Sequence, residues 1–254
     1  MKSTVFAAAL AAAGLCTASQ AVNVDVGLDF KSAYVATGAT CNDGWVAMPW
    51  VDVYGLKAGD TEIPLLFEFW GAMDLERYEP NKPYSRSGRF QEIDLLLQLD
   101  LGAIWTPDEK FSWSVGYLEY DYPEQDVETD NLIVFNAGYD CWLNPAFTCK
   151  YRFGGPSDGK CELALAASHG FQLDDAGDFG LSLAADVWYV VQADESEDDD
   201  GFACADFTAK LSWKNLYASA TYVAQIDDDV LPDGDAYAYD VEWIFAVGAS
   251  YSFE

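Results

Sequence analysis

The side chains able to do chemistry in this 254-residue chain are overwhelmingly carboxylates: 43 Asp and Glu stand against 13 Lys and Arg and one histidine, a formal net charge of −30. A single histidine excludes metal centres and catalysis built on several imidazoles. Ser168-His169 invites an enzyme reading. A triad needs its members within hydrogen-bond reach, and nothing in the pattern supplies them. His169 reads as an interfacial histidine, and neither an enzyme nor a cofactor is expected. The charge also argues against nucleic-acid phosphates, whose recognition requires basic patches.

The densest acids are Asp194-Glu195-Ser196-Glu197-Asp198-Asp199-Asp200 and Asp227-Asp228-Asp229. Like-charge runs are usually solvated, self-repelling loops. Hard divalent cations also take clustered carboxylates, so loose Ca²⁺ or Mg²⁺ binding, bridging to lipid phosphates, is a second reading. No spacing matches an EF-hand loop, and no Cys-x-x-Cys spacing supports zinc.

Residues 1–21, MKSTVFAAALAAAGLCTASQA, carry the marks of an export signal: Lys2, an apolar stretch from Val5 to Leu15, and the small-x-small Ser19-Gln20-Ala21. The mature domain is expected to be 22–254. Export permits disulfides. Cys141 and Cys149 lie symmetrically about Pro145 and predict a bridge across a hairpin. Cys41, Cys161 and Cys204 map to the other ends of strands, and Cys161–Cys204 is the expected second pair, although sequence alone does not set connectivity.

Elements that position these groups follow from periodicity. Hydrophobic residues make up 51% and aromatics 15% of the chain, well above a disordered acidic composition. Beyond residue 21 no apolar run reaches the roughly 18 residues of a membrane-spanning helix. Apolar and polar residues instead alternate. In 91–105, Ile93, Leu95, Leu97, Leu99, Leu101, Ala103 and Trp105 share one face, while Glu92, Asp94, Gln98 and Asp100 share the other. A helix would scatter Asp94 and Asp100 through the apolar stripe, whereas a strand separates them. The final segment repeats the pattern with Val241, Trp243, Phe245, Val247, Ala249, Tyr251 and Phe253.

About twelve strands are predicted, near 23–37, 44–57, 62–73, 91–105, 111–121, 131–141, 147–154, 160–172, 178–191, 203–214, 216–226 and 240–253. Many exceed the usual globular strand and suit the about 9–11 residues that cross a bilayer. Short turns such as Lys214-Asn215 alternate mostly with longer polar connections (38–43, 74–90, 122–130, 155–159, 192–202, 227–239). With an even strand number, that is the layout of a closed antiparallel transmembrane β-barrel with periplasmic termini. Trp105 with Phe111, and Trp213 with Tyr217, flank short turns as interfacial girdles do. A soluble exported β-sandwich is the alternative.

The mature chain resembles a bacterial outer-membrane porin-type barrel. Its close, Trp243…Tyr251-Ser252-Phe253, is similar to the C-terminal signal read by the barrel-assembly machinery, with Glu254 following. Its opening, Val26-Gly27-Leu28-Asp29-Phe30-Lys31-Ser32-Ala33-Tyr34-Val35-Ala36-Thr37-Gly38, is similar to that of the TorF family of porins, with Thr37 where that family usually has Arg. The resemblance implies an outer-membrane location in a Gram-negative-type bacterium, lipid contact and small-solute passage.

If the apolar set faces lipid, parity turns Asp25, Asp29, Asp52, Glu68, Asp94, Asp100, Asp140, Glu162, Asp186, Asp206 and Glu242 inward, together with Lys31, Lys150, Arg152, Lys210 and Lys214. Such a lumen attracts cations, and passive, mildly cation-selective diffusion of small solutes is expected. A non-conducting structural or adhesive barrel, filled by acid–base pairs and Trp50, Trp70 and Trp188, is the competing expectation.

Overall fold

The computed structural model describes residues 22–58, 60–76, 87–105, 108–123, 128–193, 198–231 and 241–253; the expected export signal lies outside the described residues. The strands, in chain order, are β1 (Asn23–Lys31), β2 (Tyr34–Ala36), β3 (Ala39–Asn42), β4 (Val46–Tyr54), β5 (Lys57–Ala58), β6 (Thr61–Glu62), β7 (Leu65–Asp74) and β8 (Phe90–Asp100). They continue as β9 (Phe111–Asp121), β10 (Asp130–Tyr139), β11 (Ala146–Gly154), β12 (Cys161–Gln172), β13 (Phe179–Val191), β14 (Gly201–Trp213), β15 (Leu216–Gln225) and β16 (Trp243–Phe253). β1, β4 and β7 through β16 form one closed antiparallel barrel, sealed where β1 pairs with β16. Closure leaves no edge strand with unpaired backbone groups, which is what a sheet in hydrocarbon requires.

The alternation read from sequence becomes two surfaces. Leu28, Phe30, Leu97, Leu165, Phe207, Phe245 and Val247 are among the large apolar side chains that remain exposed. They point outward from their strands, so the barrel wears an apolar belt. A water-soluble monomer rarely exposes so large a contiguous apolar surface. Most of the buried apolar residues described lie in three small groups, one of them Leu118, Tyr120, Leu132 and Val134 on the inner face of β9 and β10. The interior also holds Trp50 and Trp70, which face each other across β4 and β7. Gly27 makes room for Trp50: a Cβ there would lie within 2.4 Å of its ring.

Most strands match their expected spans to within two residues. The first departs furthest. Expected to run to residue 37, it ends at Lys31, and Tyr34–Ala36 pairs instead with Ala39–Asn42 as a separate hairpin. The strand expected over 91–105 ends at Asp100, because Leu101 and Gly102 donate to the Trp113 carbonyl and Trp105 turns back to Leu101. The Lys214-Asn215 turn is the expected two-residue hairpin, with Lys214 at φ 53 between Trp213 and Leu216.

Candidate functional site

Register places acids beside one another on the inner wall. Asp25 pairs with Asp52, and Asp52 with Glu68, giving a row of three carboxylates across β1, β4 and β7. Asp186 pairs with Asp206 across β13 and β14. Asp94 lies opposite Tyr120, Asp100 opposite Ser114 and Lys210 opposite Ser219, while Asp29 shares the inward phase of Asp25. Glu242, just before β16, is exposed and borders a cavity of about 400 Å³ with Ser32, Ala33 and Asp43. A second cavity, of about 590 Å³, opens toward the end that carries the chain termini, between Tyr54, Gln98, Asp100, Asn136 and Thr148.

The acids are partnered unevenly. Tyr54 donates its hydroxyl to Asp25 Oδ2 at 3.2 Å. The Oδ1 atoms of Asp25, Asp29, Asp52, Asp94 and Asp206 are buried and have no hydrogen-bond partner. Across β10 to β12 the charges are paired. Arg152 bonds both Asp130 and Glu162, and Lys160 reaches Glu162 at 3.4 Å. Lys150 donates to the Tyr120 hydroxyl at 3.0 Å and lies 5.6 Å from the Trp188 ring. The orphaned carboxylate oxygens lie on β1, β4, β8 and β14, and the ion cluster spans β10 to β12, where Arg152 Nε is also buried without a partner.

The hairpin of β2 and β3 folds into the opposite mouth. Tyr34 donates to Glu92 Oε2 at 2.9 Å, and Asn42 to Gln91 Oε1 at 2.9 Å. From across the barrel Gln225 donates to the Gly38 carbonyl at 2.9 Å. Gly38 has φ 85, and a Cβ on it would lie 2.9 Å from Cys204 Cβ, so glycine suits both the turn and the contact. Thr40 and Ala39 are buried. Burial pushes the Cys41 thiol up to about 12. Glu92, on the polar face of its strand in the sequence, becomes the latch for this hairpin. Asp130 joins the Arg152 cluster from the first position of β10.

Several expectations need correction. The hairpin joining β10 and β11 is centred near Trp142, not Pro145: Gly138 pairs with Ala146, and Cys149 lies opposite Phe135, away from Cys141 in the turn. Cys161 and Cys204 are on β12 and β14, with β13 between them. Cys41, Cys141, Cys149, Cys161 and Cys204 are all free thiols, and Cys149 Sγ instead lies 3.7 Å from Cys161 Sγ. Tyr217 is not in a girdle but faces inward, with the Lys210 ammonium 3.9 Å from its ring centroid. Asp140 falls beyond β10, in the exposed turn, and Lys214 pairs with Asp178 at 3.4 Å outside the barrel wall. His169 donates its Nδ1–H to the Trp142 carbonyl, 2.6 Å away, and packs against the Trp142 and Phe171 rings. Of the long acidic run, 194–197 lie outside the described residues. Among the described residues no group of three or more His, Cys, Asp or Glu is arranged to hold a metal ion.

Comparison with solved structures places the fold. A structure of the NanC porin, in a rhombohedral crystal form, superposes with a TM-score of 0.51 at 9% identity, covering 90% of this chain and 98% of that one. The fold is a porin-type barrel. A Salmonella typhi OmpF complex with daunomycin aligns at a TM-score of 0.38 and 9% identity, over 92% and 97% of the two chains. No family model matches the sequence. No curated protein matches it either.

Proposed function

We propose that the chain is an outer-membrane channel for passive diffusion of small solutes, mildly selective for cations through its acid-lined interior. The observation that carries this reading is the set of inward carboxylate oxygens without a partner, Oδ1 of Asp25, Asp29, Asp52, Asp94 and Asp206. A buried polar atom without a protein partner is costly unless water or an ion meets it. A merely structural barrel would be expected to pair these acids, as the Arg152 cluster does. The apolar exterior supports a bilayer setting, and the 590 Å³ cavity supports a wet vestibule at one end. Fixed negative charge in a narrow aqueous path raises the local cation concentration. In this reading, the hairpin of β2 and β3 is the narrowest part of the path, and the longer loops face the cell exterior.

A second reading, the non-conducting barrel, is favoured by that same hairpin, whose contacts at both walls close much of the mouth. Planar-bilayer recording of the purified full chain separates the two. Discrete conductance steps are expected; a protein that inserts and shows the heat-dependent gel shift of a folded barrel, yet gives no steps, supports the non-conducting reading.

A further inference from the structure

Cys149 and Cys161 flank one rung of the barrel wall. Lys150 pairs with Glu162 across β11 and β12, and both point inward. Cys149 precedes Lys150 and Cys161 precedes Glu162, so the two thiols point outward, on the belt side of the same rung. The strands run antiparallel, which sets the thiols diagonally, Cys149 opposite Leu163 and Cys161 opposite Tyr151. Their sulfurs are nonetheless 3.7 Å apart. Each of the other three described cysteines is placed differently: Cys141 in an exposed turn, Cys204 fully buried against the hairpin tip, and Cys41 within that hairpin.

The seam is one that a covalent tie would help. β11 and β12 pair from Ala146–Ala166 to Tyr151–Cys161, six rungs, where β12 and β13 pair from Cys161–Val191 to Gln172–Gly180. Beyond Tyr151 the backbone contact continues as the turn bonds of Arg152 with Lys160 and Gly159. The inner side of this short seam holds the Arg152–Glu162–Lys160 cluster.

We propose that Cys149 and Cys161 are a disulfide-forming pair that staples the outer side of this seam. The proposal rests on export to an oxidising compartment, and not on conduction. A thiolate of one cysteine attacks the disulfide of a thiol–disulfide oxidoreductase, forming a mixed disulfide and releasing the carrier's first thiol. The second cysteine, as thiolate, displaces the carrier's remaining sulfur. One S–S bond forms in the barrel, the carrier's is broken, and two electrons pass to the carrier, which leaves as a dithiol. Thiolates are the reacting species, and sulfurs set against lipid have no water to take their protons. The exchange therefore belongs to the stage before membrane insertion is complete.

The test is chemical. The full chain is extracted from its native membrane without reductant, and free thiols are blocked with N-ethylmaleimide in detergent. Trypsin alone leaves Cys141 with Cys149, since no Lys or Arg lies between Lys110 and Lys150, and leaves Cys161 with Cys204 before Lys210. Digestion with both trypsin and chymotrypsin, which also cuts after aromatics such as Phe147, separates them. A reductant-sensitive peptide joining Cys149 to Cys161 is expected. Cys149→Ser or Cys161→Ser is expected to lower by several degrees the temperature of the barrel's heat-dependent gel shift, with Cys141→Ser leaving it unchanged. Recovery of Cys149 and Cys161 as alkylated thiols, or joined to any other cysteine, would overturn the proposal while leaving the channel reading intact.

Discussion

At the residue scale the interior separates two kinds of charge. Arg152 is tied to Asp130 and Glu162 in a buried cluster, and its removal takes the ion pair from Asp130 and leaves Glu162 with Lys160. Breaking a buried pair by losing one partner typically costs about 3–5 kcal/mol. Arg152→Met is therefore expected to destabilise the folded barrel by about that amount, read as a lower urea midpoint of tryptophan fluorescence. An unchanged midpoint would show the cluster to be well solvated. Asp174, in the turn between β12 and β13, behaves oppositely to a buried acid. The Phe179 amide donates to it at 2.9 Å and Gln172 at 3.1 Å, and these bonds hold its carboxyl below the usual aspartate range. With the folded value depressed, the carboxylate's contribution is complete above the unfolded value and fades as pH falls through the folded one. The Phe179 amide resonance should accordingly titrate with a midpoint below that of an ordinary aspartate; a midpoint at or above it would show that the bond to Phe179 is not maintained.

At the scale of elements, the barrel strands were legible because each carries its own period-two pattern. Asp94 and Asp100 fall on one side of β8 with no information from elsewhere in the chain. The β2–β3 hairpin was not legible. Its place is set by bonds to Glu92 on β8 and Gln225 on β15, the latter 187 residues from Gly38, and no local pattern encodes such contacts. The cysteine pairing failed for a related reason: the turn centre sits three residues from Pro145, and that shift moves Cys149 out of register with Cys141. Parity within one strand did not reveal where a strand stops: Asp140, expected inward, lies in the exposed turn after β10. If the hairpin narrows the path, replacing residues 35–41 with a short Gly-Ser link should raise single-channel conductance at least about twofold, since the mouth is then lined only by the barrel wall. Equal conductance in the two proteins would place the narrowest point elsewhere.

At the scale of the whole molecule, the exterior and interior must live in different solvents. Val247 is an exposed apolar residue on the outward side of β16, and Ser250 lies on the inward side. An arginine facing mid-bilayer lipid costs roughly 2–4 kcal/mol. Val247→Arg should therefore depress folding into lipid vesicles by about that much, and Ser250→Arg by clearly less, measured as the fraction of chain showing the folded gel mobility. Equal penalties would argue against a lipid-facing belt. The acids act collectively as well. Asp25, Asp52 and Glu68 form one row, so Asp52→Asn with Glu68→Gln removes two of its three charges. The most direct measurement is the zero-current potential across a planar bilayer holding the wild-type barrel in a KCl gradient, repeated with that double variant. Cation preference in the wild type, reduced in the variant, is expected. A wild-type potential that reports chloride preference, or one that the two substitutions leave unmoved, would contradict an acid-lined path for cations.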